Sequence, residues 1–171
     1  DGVMYYKDGT CKIGIFQDGE LVEATGEMNG ILNQPGATTW KDDDGNTYTG
    51  KQENGVLIGE GIRINSSNEL YIGEFKDGTP NGNGTYYYSD GDYYVGEFVS
   101  GKRNGNGVYF YSDDGEAKSW YRGEWLDGVR NGNCEGYFHD NGTLNVGEYK
   151  DGLPHGKGTC YFTNSVYYGD W

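Results

Sequence analysis

The chain is poor in the residues that most small-protein chemistry relies on. Its 171 residues include two histidines, two methionines, three prolines and three cysteines. With so few prolines and no Gly-X-Y period, a collagen-like triple helix is excluded. Cys11, Cys134 and Cys160 show no CxxC-type spacing. This argues against a disulfide scaffold and for an intracellular, reducing compartment, leaving room for one disulfide. Positive charge is also short: 13 Lys and Arg face 27 Asp and Glu, a net charge of −14. No basic cluster exists beyond Lys102-Arg103, so nucleic acid is not expected as a partner and contact with an anionic membrane is disfavoured. A basic protein, a basic peptide or a cation is electrostatically easier. No apolar stretch approaches the ~18 residues of a spanning helix, and no signal peptide is visible.

What the chain has instead is glycine and aromatic rings. There are 32 glycines and 17 tyrosines, and aromatics make up 16% of the sequence. Glycine at that density disfavours helices, at about 1 kcal/mol per residue against Ala. Tyr, Phe and Trp suit a pleated surface and supply the apolar burial that scarce Ala and Leu do not. A folded all-β protein is expected.

The rings and glycines recur with a period near 23 residues. Tyr71-Ile72-Gly73-Glu74-Phe75, Tyr94-Val95-Gly96-Glu97-Phe98 and Tyr121-Arg122-Gly123-Glu124-Trp125 are full copies of one block. Asn145-Val146-Gly147-Glu148-Tyr149 lacks only the tyrosine, and Tyr167-Tyr168-Gly169-Asp170-Trp171 ends the chain. With the glycine of Tyr-x-Gly as position 0, a second glycine falls at +5 (Gly55, Gly78, Gly101, Gly128, Gly152). Glycine pairs at +9 and +11 follow, as in Gly82/Gly84 and Gly105/Gly107, with Gly132/Cys134 the exception. An aromatic pair comes at +14 and +15: Tyr87-Tyr88, Phe110-Tyr111, Tyr137-Phe138 and Tyr161-Phe162. Each copy reads as a β-hairpin. Its first strand sets Tyr71, Gly73 and Phe75 on one face and Ile72 and Glu74 on the other, and Asp77-Gly78 makes the turn. Its second strand sets Gly82, Gly84, Tyr86 and Tyr88 on one face and Thr85 and Tyr87 on the other. The +9/+11 glycines leave bare backbone for large rings to lie on. Such units are stable only when stacked.

The motif resembles the MORN repeat (membrane occupation and recognition nexus), specifically from Tyr48 to Trp171. Departures are Lys51-Gln52 in place of Glu-aromatic and an insertion at Glu116-Ala117-Lys118-Ser119. The expected architecture is an elongated, single-layer, twisted antiparallel meander of about fourteen strands, an open β-sheet solenoid in one continuous domain. Residues 1–46 would form degenerate N-terminal hairpins. Residues 47–171 would form the array, with copies starting near 48, 71, 94, 121 and 145 and a half copy at 167. The resemblance implies a non-catalytic scaffold for protein–protein assembly in a cytoskeletal, ciliary or membrane-associated complex. A phospholipid or membrane-surface adaptor, or a regulatory module of a larger kinase- or methyltransferase-type protein, is the alternative.

No catalytic constellation is expected, nor a metal or cofactor. The Lys102-Arg103 segment superficially resembles a phosphate loop but is one copy of the repeat turn. Asp42-Asp43-Asp44-Gly45 fails EF-hand spacing and reads as a turn. Glu74, Glu97, Glu124, Glu148 and Asp170 share one repeat position, about 10 Å apart, too far for a shared proton. They form either a solvated row or an acidic ladder for a basic helix or peptide. Charge reversal there is expected to leave the fold intact. Tyr87, Phe110, Tyr137 and Tyr161 would line an aromatic row that packs on glycine or receives a partner. The chain opens and closes mid-repeat and starts at Asp1, consistent with a fragment or with processing for an organelle. Val3 and Tyr5 at one end, and Tyr167 and Trp171 at the other, are thus candidates for edge-to-edge self-association.

Overall fold

The computed structural model describes residues 30, 31, 33–112 and 119–171 in full, and the strand backbones of 2–5, 11–17 and 20–24. Three strands, β1 (Gly2–Tyr5), β2 (Cys11–Gln17) and β3 (Glu20–Ala24), form one antiparallel sheet. Twelve more form a second sheet: β4 (Thr38–Lys41), β5 (Thr47–Glu53), β6 (Val56–Ile64), β7 (Leu70–Lys76), β8 (Thr79–Tyr87), β9 (Tyr93–Val99), β10 (Lys102–Phe110), β11 (Trp120–Leu126), β12 (Val129–Phe138), β13 (Thr143–Lys150), β14 (Leu153–Phe162) and β15 (Ser165–Asp170). They pair antiparallel in chain order, in one open, unclosed meander. At about 4.8 Å per strand it extends roughly 50 Å. The expected all-β meander is therefore present, but as twelve strands with three in a separate sheet. No described helix is long and apolar enough to cross a membrane.

Two local signals fix the register. The hairpin turns at Asn54-Gly55, Asp77-Gly78, Ser100-Gly101, Asp127-Gly128 and Asp151-Gly152 have positive φ at both residues, from 49° to 90°. This is the type I′ geometry that matches strand twist. The last four of these turn glycines also tie each hairpin to the one before. Gly78 N–H donates to the Leu57 carbonyl (3.0 Å), Gly101 to Pro80, Gly128 to Arg103 and Gly152 to Arg130 (each 2.9 Å).

The glycines at 0 and +11 then face one another from strand to strand. Gly50, Gly61, Gly73, Gly84, Gly96, Gly107, Gly123, Cys134, Gly147, Gly158 and Gly169 form one continuous row across the sheet. Tyrosines lie on this row. A Cβ on Gly84 would stand 2.3 Å from Tyr71 Oη, and one on Gly107 2.1 Å from Tyr94 Oη. Tyr71 and Tyr94 are wholly buried, and their hydroxyls donate to the Glu74 and Glu97 carbonyls (3.1 and 3.4 Å). Phe75, Phe98, Trp125, Tyr149 and Trp171 continue this core, with edge-on contacts such as Tyr94–Trp125 at 5.3 Å.

Where the repeat departs from its pattern, the packing compensates. Cys134 holds the +11 site, and its Sγ contacts the Glu124 carbonyl at 3.5 Å, where a tyrosine hydroxyl sits in other copies. The glycine has moved two residues to Gly136, and the Tyr121 ring covers it, 2.5 Å from a Cβ placed there. In the copy where Asn145 replaces tyrosine, the Trp171 ring folds back over Gly158 instead, and the Trp171 backbone N–H donates to the Gly156 carbonyl (2.9 Å). Trp171 is thus a core residue rather than a free edge residue. Tyr167 lies on β15, which is at one end of the strand order and pairs with β14. Val3 and Tyr5 pair in backbone with Ile13 and Cys11; their side chains lie outside the described residues.

Candidate interaction faces

The face opposite the tyrosine core, here the outer face, carries two of the sequence-predicted rows, with one further line between them. Strand register aligns Leu70, Tyr87, Tyr93, Phe110, Trp120, Tyr137, Leu144, Tyr161 and Val166 in one line. Neighbouring rings stack: Tyr93–Phe110 at 4.5 Å and 16°, Tyr87–Tyr93 at 5.8 Å, Trp120–Tyr137 at 6.2 Å. Tyr87, Phe110, Tyr137 and Tyr161 therefore lie in one row; the first three each stack on a neighbouring ring, and Tyr161 stands between Leu144 and Val166. The rings of the row are half-buried, and exposure rises to 45% at Tyr161. Next to it runs a second line with Ile72, Thr85, Val95 and Val108, in which Val95 is 43% exposed.

The glutamates occupy the third line and are structural as well as exposed. Between Gly73↔Gly84 and Phe75↔Pro80 the ladder bulges, leaving Glu74 opposite three residues of β8. Glu74 reaches over Gly82 and accepts the freed Asn83 N–H at 2.9 Å. Glu97 does the same for Asn106 (2.8 Å) and Glu124 for Asn133 (2.9 Å). Glu148 approaches the equivalent glycine, Gly156, while Asp170 pairs with Lys157 at 2.7 Å. The five residues remain exposed, so the carboxylates keep oxygens for other partners. Charge reversal at Glu97 or Glu124 removes a bulge cap, which corrects the expectation of an untouched fold.

One stretch of the outer face is already covered by the chain itself. Ile31, 3% exposed, packs with Ile62, Leu70 and Ile72, and Gln34 Nε2 donates to Glu60 Oε2 (3.2 Å). A cavity of about 300 Å³ continues from Ile31 along Ile72 and Thr85 to Val95, with Glu60 and Glu74 at its rim.

The tyrosine face holds what sequence reasoning missed. Arg103 and Arg130, both at +7, lie over the rings: Arg103 Cζ is 4.5 Å from the Trp125 centroid, and Arg130 Cζ is 3.9 Å from that of Tyr121. Each Nη2 donates to the next turn glycine's carbonyl, Gly128 at 2.6 Å and Gly152 at 3.0 Å. The signal for them was available, since +7 is occupied by Leu57, Pro80, Arg103, Arg130 and Pro154. The basic pair Lys102-Arg103 splits between the faces, with Lys102 pairing exposed Asp127 at 3.2 Å.

The profile of the MORN repeat matches residues 71–93, 94–116, 121–143 and 146–166, more than half of the chain. The chain belongs to the MORN-repeat family. No curated protein matches it significantly. In this MORN array three of the turns between hairpins also anchor a tyrosine. Tyr86 Oη donates to Glu69 (2.7 Å), Tyr109 to Asp92 (2.5 Å) and Tyr48 to Asp42 (3.0 Å). Burial, reinforced by Glu69, pushes the Tyr86 phenol up to about 12. Burial first, then Asp92, raises Tyr109 further. Asp42 closes its own turn, accepting from the Asp44 and Asn46 backbones (3.1 and 2.8 Å), and the Asn46 side chain holds its carboxyl below the usual range. The Asp42 segment is a turn, as its spacing implied.

Proposed function

We propose that this MORN array is a non-catalytic scaffold whose outer face docks a basic, amphipathic helix of a protein partner. The observation that supports this reading is that the aromatic line and the glutamate line run parallel on one face, with the aliphatic line of Ile72, Val95 and Val108 between them. Tyr93 and Glu97 are four residues apart on β9, roughly 13 Å along the strand. That separation suits a helix about 10 Å wide lying across the strands. Its apolar side would meet Val95, Val108 and Phe110, and its basic edge would meet Glu74, Glu97 and Glu124. Ile31 illustrates the chemistry, since an aliphatic side chain packs on this face with an amide bonded to an acidic residue beside it. The scaffold would act in a reducing compartment, where Cys134 and Cys160 are free thiols.

The test uses a partner recovered by affinity capture and then expressed as a defined segment. Glu97→Gln with Glu124→Gln keeps an acceptor for the bulge N–H while removing charge. The expected result is weaker binding with a shallower salt dependence. Unchanged affinity would remove the acidic line from the interface. Flotation with anionic vesicles at low salt instead of protein binding would favour the membrane-surface reading.

A further inference from the structure

Two arginines at one repeat position stand out in a chain of net charge −14. The same position holds Leu57, Pro80 and Pro154 in other copies, so the hairpin needs no cation there. Among the described residues, neither Arg103 nor Arg130 has a carboxylate at ion-pair distance, although acidic residues outnumber basic ones about two to one. Each guanidinium makes one hydrogen bond among those residues, to a backbone carbonyl, out of five donors it carries. Stacking on Trp125 and Tyr121 holds both planes in place. Both arginines line one cavity of about 270 Å³, walled by Tyr109, Tyr111 and Trp125.

We propose that this cavity on the tyrosine face binds a carboxylate side chain of an apolar, sparsely acidic peptide segment from a partner protein. A guanidinium fork matches an oxyanion in two-point geometry, and one pre-oriented by ring stacking loses less freedom on binding. The aromatic walls take the ligand's methylenes and an adjacent aliphatic side chain. The volume admits a side chain, not a helix. The protein's negative field opposes a phosphate dianion more strongly than a single carboxylate charge. The site lies on the opposite face from the docking line proposed above and does not depend on it.

The experiment titrates the whole chain with the blocked peptide acetyl-Ala-Leu-Glu-Leu-Ala-amide, its glutamine counterpart, and sodium phosphate. NMR follows the arginine Nε–H and tryptophan indole signals. The glutamate peptide should shift Arg103, Arg130 and Trp125 saturably, and the glutamine peptide should bind at least about tenfold more weakly. Arg103→Leu or Arg130→Leu, which introduces the residue type found at Leu57, should weaken binding by about tenfold or more. If either leucine variant fails to fold, Arg103→Lys and Arg130→Lys keep charge but lose the fork, and severalfold weakening is expected. Equal binding of both peptides, shifts confined to residues away from the cavity, undiminished binding by folded variants, or no saturable binding would each overturn the proposal. So would phosphate binding more tightly than the glutamate peptide, which would reassign the site.

Discussion

Placing a single methyl group on the glycine row should damage this protein more than almost any surface change, and Gly107→Ala isolates the reason. Gly107 has no positive φ, so alanine's backbone preference is not the issue. A Cβ there stands 2.1 Å from Tyr94 Oη, 2.3 Å from Cζ and 2.6 Å from Cε2, against ordinary carbon contacts of about 3.5–4.0 Å. The ring must withdraw by more than an ångström. Tyr94 is fully buried against Phe98 (5.2 Å) and Trp125 (5.3 Å), so withdrawal displaces packed rings. Overpacking of this kind costs about 1–3 kcal/mol, and loss of the hydroxyl bond to the Glu97 carbonyl adds about 1 kcal/mol. The expected destabilisation is about 3 kcal/mol, read from urea unfolding followed by circular dichroism. In a Tyr94→Leu background the same glycine change should cost under about 1 kcal/mol, a coupling of about 2 kcal/mol. Additive effects would refute the ring-on-glycine account.

Other consequences are open to measurement. Burial raises the Tyr71, Tyr86, Tyr94, Tyr109 and Tyr149 phenols above the ordinary tyrosine value of 10.0. Unfolded chains then release protons first as pH rises, so the tyrosines' stabilisation is complete below about pH 10 and declines above it. For Tyr86 the window is from 10.0 to about 12. Ultraviolet titration should show these phenols ionising together with unfolding, and smooth titration of the folded protein near pH 10 would count against it. Glu97→Ala should destabilise by about 1 kcal/mol through the orphaned Asn106 N–H, with Glu97→Gln milder; equal losses in the two variants would argue against the cap. Burial pushes the Cys134 thiol up, so an aromatic disulfide reagent should modify half-exposed Cys160 much faster than Cys134 in the native protein.

Much of this arrangement was readable from residue spacing, because repeat position and strand register are locked together. Asp77-Gly78 marks a turn, Gly84 marks a landing place for Tyr71, and alternation puts Tyr87 on the other face from Tyr86. The limits were equally physical. Alternation alone cannot show that Tyr87, Tyr93 and Phe110 stack on one another, since that depends on which strands pair and at what offset. The bulge opposite Glu74 was invisible because its one-against-three count arises only in the paired ladder. Compensation across repeats was hidden too. Cys134 looked like a lost glycine, yet Gly136 restores the space two residues later, and Trp171 fills the gap left by Asn145 from beyond the next hairpin. Arg103 was read as part of a basic dipeptide, whereas its position in the repeat relates it to Arg130.

The proposed docking of a protein partner on the outer face, along its aromatic and glutamate lines, is open to direct test. The most direct measurement places a photo-crosslinking residue at Val95 on that face and, separately, at exposed Asn106. It then sequences the captured peptides from a native extract. The account predicts that Val95 captures a basic amphipathic helical segment, with charge-matched capture at Asn106, and that Glu97→Gln with Glu124→Gln reduces both yields. Absence of specific capture at Val95, or capture only of acidic or lipid species, would contradict it.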